Sequence, residues 1–304
     1  KILENIPESQ ALSNNKIVPN IWFDREAREA VDFYTSLFPD SRITSETVMG
    51  GTPSGNVDIL TFELRGQEFM AINAGPLFKV NPSVSFFVYC GSENEINRLY
   101  EKLSVGGFVL FPLDKYDWSP RYAWVQDRFG VSWQPDIENI KSQQKIVPSV
   151  LFVNQKSARL KEAITFYNSV FPDSRIVMEA PYDKSAGMPE GSLLFAQFIL
   201  SGYMFNSMSS TMNHDYDFNE ALSFMIYCNN QEEIDYYWNK LTDGGEEQPC
   251  GWVKDKFGLS WQIVSYDMDE MMKTTDMDQL ARVTTEMLKM MKLDLKALRD
   301  AFNA

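Results

Sequence analysis

The chain has 304 residues, 44% hydrophobic and 13% aromatic, and its 28 basic against 42 acidic side chains give a formal charge of −14. This charge argues against a nucleic-acid-binding surface, because phosphate binding needs clustered Lys and Arg. No apolar run approaches the roughly 18 residues of a membrane span, and the opening KILENIPESQ lacks the pattern of a signal peptide. We therefore expect a cytoplasmic protein that binds neither nucleic acid nor membranes.

The chain contains a long internal repeat, in which four strings recur in the same order. They are KIVPN at 16–20 and KIVPS at 145–149, FPDSRI at 38–43 and 171–176, SFFVYC at 85–90 and SFMIYC at 223–228, and WVQDRFGVSWQ at 124–134 and WVKDKFGLSWQ at 252–262. A period this long indicates a duplicated domain, because solenoid repeats span only about 20–50 residues. We predict domain 1 at 16–137 and domain 2 at 145–265, with the polar segment 136–145 as a linker.

The first half of repeat one predicts a strand, a helix and three more strands. IVPNIWF (17–23) is an apolar strand, and apolar residues then follow at helical spacing from Ala27 to Phe38, with Asp24 as a candidate N-cap. The strings RITSETV, VDILTFEL and QEFMAIN, which are separated by glycine turns, predict the three strands. This part of the chain is therefore a βαβββ unit.

The second half of repeat one follows the same order. The strand SVSFFVYC precedes a helix that begins at a capping box of Ser92 and Glu95 and ends at the glycine pair 106–107, and FVLF, RYAWVQD and VSWQPD supply three strands. Repeat two matches this plan, with Asn230 and Glu233 at the corresponding helix start. The whole chain therefore predicts an α+β fold of four βαβββ units.

The two repeats differ in one hairpin. Sixteen residues (108–123) separate Gly107 from Trp124, whereas six (246–251) separate Gly245 from Trp252, so the hairpin of repeat one is longer by 16 − 6 = 10 residues. Its additional segment is aromatic. Tyr116, Trp118 and Tyr122 could close a binding site or cover the core, and the sequence leaves both interpretations open.

A segment without a counterpart follows Gln262. Apolar side chains at helical spacing mark two short stripes, Leu280, Val283, Met287, Met290 and Met291, then Leu295, Leu298 and Phe302. We predict a C-terminal helical tail at 266–304. Its methionines suit an adaptable contact surface, and packing on the body of its own domain is favoured over a groove for a partner.

The strings F-Y-x-x-x-F-P-D-S-R-I, S-F-x-x-Y-C and D-[RK]-F-G-[VL]-S-W-Q resemble the PhnB-like branch of the vicinal oxygen chelate superfamily, which includes glyoxalases, bleomycin-resistance proteins and dioxygenases. This branch often carries the name 3-demethylubiquinone 3-methyltransferase. The resemblance implies tandem glyoxalase/bleomycin-resistance-type domains, in which two βαβββ units form an open curved sheet around a cup for a small molecule. In enzymes of the superfamily, the cup holds a divalent metal on His, Glu or Gln side chains.

The resemblance also implies which residues face each cup. In repeat one they are Asn20, Ser85, Gln134 and, on the fourth strand, Asn73, with Ala71 as the alternative register. In repeat two the counterparts are Ser149, Ser223, Gln262 and, on the corresponding strand, Asn206. Alternation along a strand adds Trp22, Phe87 and Tyr89 to the same faces. The ligand-binding residues that we predict are Asn20, Trp22, Asn73, Ser85, Phe87, Tyr89, Gln134, Ser149, Ser223 and Gln262.

Neutral side chains thus occupy the positions where catalytic relatives have His and Glu. Divalent transition metals need imidazole, thiolate or carboxylate ligands, and the single histidine, His214, lies in a turn-like segment that we predict to be exposed. We therefore predict no metal or other cofactor. The polar groups either bind a ligand or merely satisfy one another inside a closed interior.

These residues predict a protein that binds a small, partly aromatic molecule in a metal-poor cup. The alternative is a metal-dependent lyase, isomerase or dioxygenase-like enzyme of the same superfamily. A methyltransferase is disfavoured, because no glycine-rich cofactor loop follows the first strand. Whether strands exchange between the halves and whether the chain forms a homodimer are left open.

Overall fold

The computed structural model describes residues 16–304 and divides them into two compact units. One is an uninterrupted stretch, Val80–Asp217, here called the contiguous unit. The other combines residues 16–79 with Phe218–Ala304 and is here called the split unit. Both are α+β, and each contains one eight-stranded mixed open sheet, so the predicted fold class is confirmed.

The split unit contains two βαβββ segments and the C-terminal helices. Its first segment comprises β1 (Ile17–Phe23), α1 (Ala27–Leu37), β2 (Arg42–Thr52), β3 (Gly55–Leu64) and β4 (Gln67–Asn73). Its second comprises β13 (Leu222–Cys228), α4 (Gln231–Thr242), β14 (Glu246–Glu247), a 3₁₀ turn at Pro249–Gly251, β15 (Trp252–Lys254) and β16 (Ser260–Ser265). The tail forms α5 (Tyr266–Met272), α6 (Met277–Met287) and α7 (Leu295–Asn303).

The contiguous unit contains the other two βαβββ segments. The first comprises β5 (Val84–Cys90), α2 (Glu93–Ser104), β6 (Phe108–Tyr116), β7 (Ser119–Gln126) and β8 (Ser132–Ile137). The second comprises β9 (Ile146–Phe152), a 3₁₀ turn at Asn154–Arg159, α3 (Leu160–Val170), β10 (Arg175–Pro181), a 3₁₀ turn at Lys184–Ala186, β11 (Leu193–Leu200) and β12 (Tyr203–Ser209).

Each sheet joins half of one repeat to half of the other. The strand order is β14-β15-β16-β13-β1-β4-β3-β2 in the split unit and β10-β11-β12-β9-β5-β8-β7-β6 in the contiguous unit. At the centre of the first sheet β1 pairs antiparallel with β13, with Asn20 opposite Ser223, and in the second β5 pairs with β9, with Ser85 opposite Ser149. The compact units and the sequence repeats 16–137 and 145–265 are therefore different divisions of the chain.

The segment 136–145, predicted as a linker between domains, is an internal connection of the contiguous unit. The buried Gln144 side chain donates to the Met204 carbonyl oxygen at 2.9 Å and accepts from the Met204 N–H at 2.8 Å. The chain passes between the two units at 79–80 and at 217–218 instead.

Local signals in the sequence position the helices. Ser92 and Asn230 accept from the backbone N–H of Glu95 (3.2 Å) and Glu233 (2.9 Å), as the capping patterns predict. Helix α1 differs, because its N-cap is Glu26, which makes no side-chain cap bond, and the Ala27 N–H donates instead to Asn73 Oδ1 at 2.8 Å. The predicted cap Asp24 is therefore wrong.

The repeated string D-[RK]-F-G-[VL]-S-W-Q builds the turn before the last strand of each repeat. Asp127 is buried and accepts from the Trp133 indole N–H at 2.9 Å and from two backbone N–H groups of its turn. Asp255 makes the same bonds, with Trp261 at 3.0 Å. Most of this recognisable string therefore folds the turn, while its Ser and its terminal Gln, which are two residues apart on the last strand, share one buried face.

The predicted tail is helical and packs on the split unit. Leu280, Val283 and Met287 of α6 are buried, and α6 packs against β2, the edge strand of the sheet. Among the described residues, no helix is long and apolar enough to span a membrane.

Candidate functional site

A cavity of about 280 Å³ lies within the split unit. It is bounded by one face of the sheet, by the hairpin of β2 and β3, and by helices α5 and α6. Sheet residues that line it include Asn20, Trp22, Met70, Ile72, Met225, Tyr227, Gln262 and Val264. The tail and the short hairpin contribute Met268, Asp269, Met272, Lys273, Met287 and Cys250.

Neutral hydrogen-bonding groups meet at one end of this cavity. Gln262 Nε2 donates to the Ser223 hydroxyl at 3.0 Å, and Ser223 lies opposite Asn20 across the central strand pair. Asn20 is 2% exposed, and its Oδ1 is buried without a hydrogen-bond partner among residues 16–304. A buried carbonyl oxygen without a donor costs free energy that a ligand could recover.

The opposite end of the cavity carries ionisable side chains in place of neutral amides. Tyr227 lies four residues beyond Ser223 on β13, about 13 Å along the strand. Its buried hydroxyl makes no hydrogen bond of good geometry within the described chain. Burial, and next the charge of Asp269, raises the pKa of this phenol well above its ordinary value. Asp269 itself pairs with Lys273 at 2.7 Å, so this end can meet a charged or polar substituent.

The middle of the cavity is apolar and adaptable. Six methionines contribute to its walls: Met49, Met70, Met225, Met268, Met272 and Met287. Trp22 forms a rigid side wall, since its indole N–H donates to the Gly75 carbonyl oxygen at 2.8 Å and its ring meets that of Trp252 edge-on at 6.2 Å. Methionine side chains adjust to irregular shapes and contact aromatic rings favourably, so these walls suit a partly aromatic guest.

In the contiguous unit, side chains fill the corresponding interior. Phe87, Tyr89, Tyr122 and Trp124 belong to one buried cluster, and Phe87 lies 6.2 Å from Tyr122 between ring centroids. The Tyr122 hydroxyl donates to Gln134 Oε1, while Gln134 Nε2 donates to the Ser85 hydroxyl at 2.8 Å. Here Tyr122, Gln134 and Ser85 bond to one another, whereas the hydroxyls of Ser132 and Ser149, Gln197 Oε1 and the Trp124 indole N–H have no hydrogen-bond partner among residues 16–304.

A second polar chain crosses the same interior. Gln197 Nε2 donates to Asn206 Oδ1 at 2.8 Å, and Asn206 Nδ2 donates to the Tyr89 hydroxyl at 2.9 Å. Nearby, Ser119 donates to the buried Asp136 carboxylate at 2.5 Å. Burial nevertheless raises the pKa of Asp136 to about 6.

The structure redistributes the predicted ligand-binding residues between the two interiors. Asn20, Trp22, Ser223 and Gln262 come together at the cavity of the split unit, where Asn20, Trp22 and Gln262 line it. Ser85, Phe87, Tyr89, Gln134 and Ser149 lie instead in the filled interior of the contiguous unit. Each interior is therefore lined by residues of both repeats, whereas the sequence analysis predicted one cup within each repeat.

Asn73 occupies neither interior. Its Oδ1 caps helix α1 and its Nδ2 donates to Asp58 at 3.0 Å, whereas the residues of β4 that line the cavity are Met70 and Ile72. Met70 lies opposite Asn20, just as Asn206 lies opposite Ser149 on the corresponding strands. The face assigned to Asn73, and to Ala71 in the alternative register, is thus off by one residue.

Sequence reasoning missed several residues of the cavity. Met225 and Tyr227 follow Ser223 with the same alternation that pointed to Phe87 and Tyr89, so the strand pattern could have identified them. Cys250 and the tail residues Met268 and Met272 carried no comparable signal, because their position depends on how the tail crosses the sheet.

The side chains at the superfamily's metal positions do not fit a transition metal. In the split unit they are Asn20, Met70, Ser223 and Gln262, none of which is an imidazole, a thiolate or a carboxylate. Within residues 16–304 no group of three or more His, Cys, Asp or Glu side chains is placed to hold a metal ion. His214 lies in a surface loop of the contiguous unit, where its Nε2 and Ser210 Oγ are hydrogen-bonded at 2.8 Å. Its side chain is half-buried, whereas the sequence analysis predicted an exposed one.

Comparisons with solved structures relate the chain to two groups. A putative 3-demethylubiquinone-9 3-methyltransferase, a PhnB protein from Bacillus cereus, is 38% identical over 40% of this chain and 99% of its own, with a TM-score of 0.38. Glyoxalase I from Zea mays is 9% identical over 84% of this chain and 93% of its own, with a TM-score of 0.54. The second likeness concerns the fold alone. Among curated proteins, none matches this chain.

The family comparison covers most of the sequence. The family described as 3-demethylubiquinone-9 3-methyltransferase matches residues 15–135 and again 144–264. These two matches coincide closely with the repeats found within the sequence itself. The chain therefore belongs to this PhnB-like family, in two tandem copies, and has the fold of the glyoxalase superfamily.

Proposed function

We propose that the chain binds a small, partly aromatic molecule in the cavity of the split unit. The observation that carries this proposal is a largely apolar cavity of about 280 Å³ with a buried, unpartnered amide oxygen, that of Asn20, at one end. Ligand sites are typically apolar concavities with a few polar groups that fix orientation. Helices α5 and α6 line one side of this space, so they would contact a bound molecule opposite the sheet.

The metal-dependent alternative receives less support. Amide, hydroxyl and thioether groups bind divalent transition metals weakly, and the activity named by the family description is not tied to any group in the cavity. Elemental analysis of protein purified without metal-chelating resin decides this point. A stoichiometric transition metal, lost when Gln262 is changed to Leu, would overturn the metal-poor site.

The binding site itself can be tested by filling it. Met225 lines the cavity, and the corresponding residue of the contiguous unit is Phe87, so the fold already accepts Phe at this strand position. Calorimetric titration with 2-naphthol should show binding to the unmodified chain and at least about tenfold weaker binding to Met225→Phe.

The matched control is Phe87→Met, which makes the reciprocal change in the other unit and should leave the affinity within about twofold. Equal weakening by both variants would contradict the proposed location. If the unmodified chain binds none of 2-naphthol, 2-methoxynaphthalene, naphthalene and 4-nitrophenol, the proposed function itself is contradicted.

A further inference from the structure

The two units hold their interior glutamines in the same way. Gln134 Nε2 donates to Ser85 at 2.8 Å, and Gln262 Nε2 donates to Ser223 at 3.0 Å. Because each amide is fixed through its nitrogen, its carbonyl oxygen is left for a donor from the interior. The two amides therefore need the same kind of partner.

In the contiguous unit that partner is a phenol of the chain itself. Tyr122, which is 2% exposed, donates its hydroxyl to Gln134 Oε1, and its ring packs beside Phe87. Tyr122 reaches this place from the long hairpin of β6 and β7. Burial raises the pKa of this phenol well above its ordinary value, so it stays protonated and remains a donor.

In the split unit no tyrosine occupies this place. Counting two residues back from the matched tryptophans Trp124 and Trp252 pairs Tyr122 with Cys250, which lines the cavity. Its thiol donates to the Met287 carbonyl oxygen at 3.7 Å, not to the glutamine. Met225 replaces Phe87 at the same time, so the cavity opens where the contiguous unit has an aromatic ring.

Building on the proposed function, we propose that the ligand is a neutral phenol whose hydroxyl donates to Gln262 Oε1 and whose ring takes the place that Tyr122 fills in the contiguous unit. Asn20 Oδ1, which lines the same end and has no partner in the described chain, offers a second acceptor. The two amide oxygens accept hydrogen bonds and disfavour an anion beside them, and the cationic Lys273, which also lines the cavity, is paired with Asp269 at the opposite end. The site therefore selects the hydroxyl form over the phenolate.

Three probes of one ring system test this proposal. We expect 2-naphthol to bind at least about tenfold tighter than 2-methoxynaphthalene, which cannot donate a hydrogen bond. The same difference is expected against naphthalene, which lacks the methoxy group and therefore controls for its bulk. Gln262→Met should weaken this preference at least about threefold, and Gln262→Met combined with Asn20→Leu should reduce it to within about twofold while naphthalene still binds. Gln134→Met, the matched change in the contiguous unit, should retain the full preference.

Ionisation gives a second readout that needs no variant. 4-Nitrophenol ionises near neutral pH, so its affinity should fall about tenfold for each pH unit above its pKa, whereas the affinity of naphthalene should stay constant. If the ether binds as tightly as the naphthol, or if nitrophenolate binds as well as nitrophenol, the phenol assignment is overturned while binding in the cavity stands. If no probe binds, the proposed function fails instead.

Discussion

The two sheets of this protein enclose interiors of opposite kind on the same framework. Both present a Gln–Ser pair at the centre, yet one interior is filled by aromatic side chains and the other holds a cavity. The difference rests on a few matched positions, among them Tyr122 against Cys250 and Phe87 against Met225. In this fold, a cavity therefore accompanies the replacement of a few large side chains and a helical tail packed beside the sheet.

The largest effect should come from emptying the filled interior. Tyr122→Ala removes a buried ring and leaves Gln134 without its donor, so we expect the free energy of unfolding to fall by about 3–5 kcal/mol. Urea unfolding followed by tryptophan fluorescence measures this change. Cys250→Ala, at the matched position beside the cavity, should cost less than about 1 kcal/mol. Similar losses in both variants would contradict the contrast between the two interiors.

A smaller loss should be equal in both units. Asp127→Ala and Asp255→Ala each leave a buried indole N–H and two backbone N–H groups without an acceptor. We expect each to lower the free energy of unfolding by about 2–3 kcal/mol in the same urea titration. If Asp255→Ala changes the affinity for 2-naphthol relative to 2-methoxynaphthalene without lowering the free energy of unfolding, Asp255 acts in binding and not in the turn.

The third effect is a pH dependence of the free energy of unfolding that comes from Asp136, whose counterpart in the split unit is the non-ionisable Val264. Burial raises the folded-state pKa of Asp136 from 3.8 to about 6. Between these values the unfolded chain releases a proton that the folded state retains, so stability falls as pH rises and stays lower above the folded-state pKa.

Asp136→Asn removes this penalty and keeps an acceptor for Ser119. We therefore expect the free energy of unfolding to rise by on the order of 2 kcal/mol at neutral pH and to change little near pH 4. Urea unfolding at both values measures it. A loss of stability at neutral pH would instead mean that the ionised carboxylate is stabilised by its bond from Ser119.

The smallest effect concerns the variant that fills the cavity. Met225→Phe adds volume where space is available, so the free energy of unfolding should change by less than about 1 kcal/mol. Thermal unfolding in the absence of any probe checks this. A larger loss would show that the cavity is too narrow for the ring, and would weaken the use of this variant as a test of binding.

Local features of the fold could be predicted from the sequence because short stretches determine them. The capping patterns at Ser92 and Asn230 and the apolar spacing of the helices require only neighbouring residues. The tail was also predictable, since its apolar stripes have helical spacing. The FPDSRI strings mark tight turns, in which Asp40 and Asp173 adopt positive φ angles of 48° and 51°.

The pairing of strands across the repeats could not be predicted, because duplication makes the alternatives nearly equivalent. SFFVYC and SFMIYC present almost the same edge to KIVPN and KIVPS, so nothing in the strings favours β13 over β5 as the neighbour of β1. Strand β4 posed a second problem. Both of its faces carry apolar residues, Phe69 and Ala71 on one and Met70 and Ile72 on the other, so its pattern does not fix the face of Asn73.

The division of the chain into a contiguous and a split unit has a consequence for folding during synthesis. Residues 80–217 supply every strand of one sheet, so this unit can form as soon as residue 217 has left the ribosome. Strands β1–β4 are made earlier, but their partner β13 begins only at Leu222, more than a hundred residues after β4 ends. The edge of β1 that pairs with β13 stays without its partner strand through that interval, so we expect residues 17–73 to be the part of the described chain most prone to wrong strand pairing during synthesis.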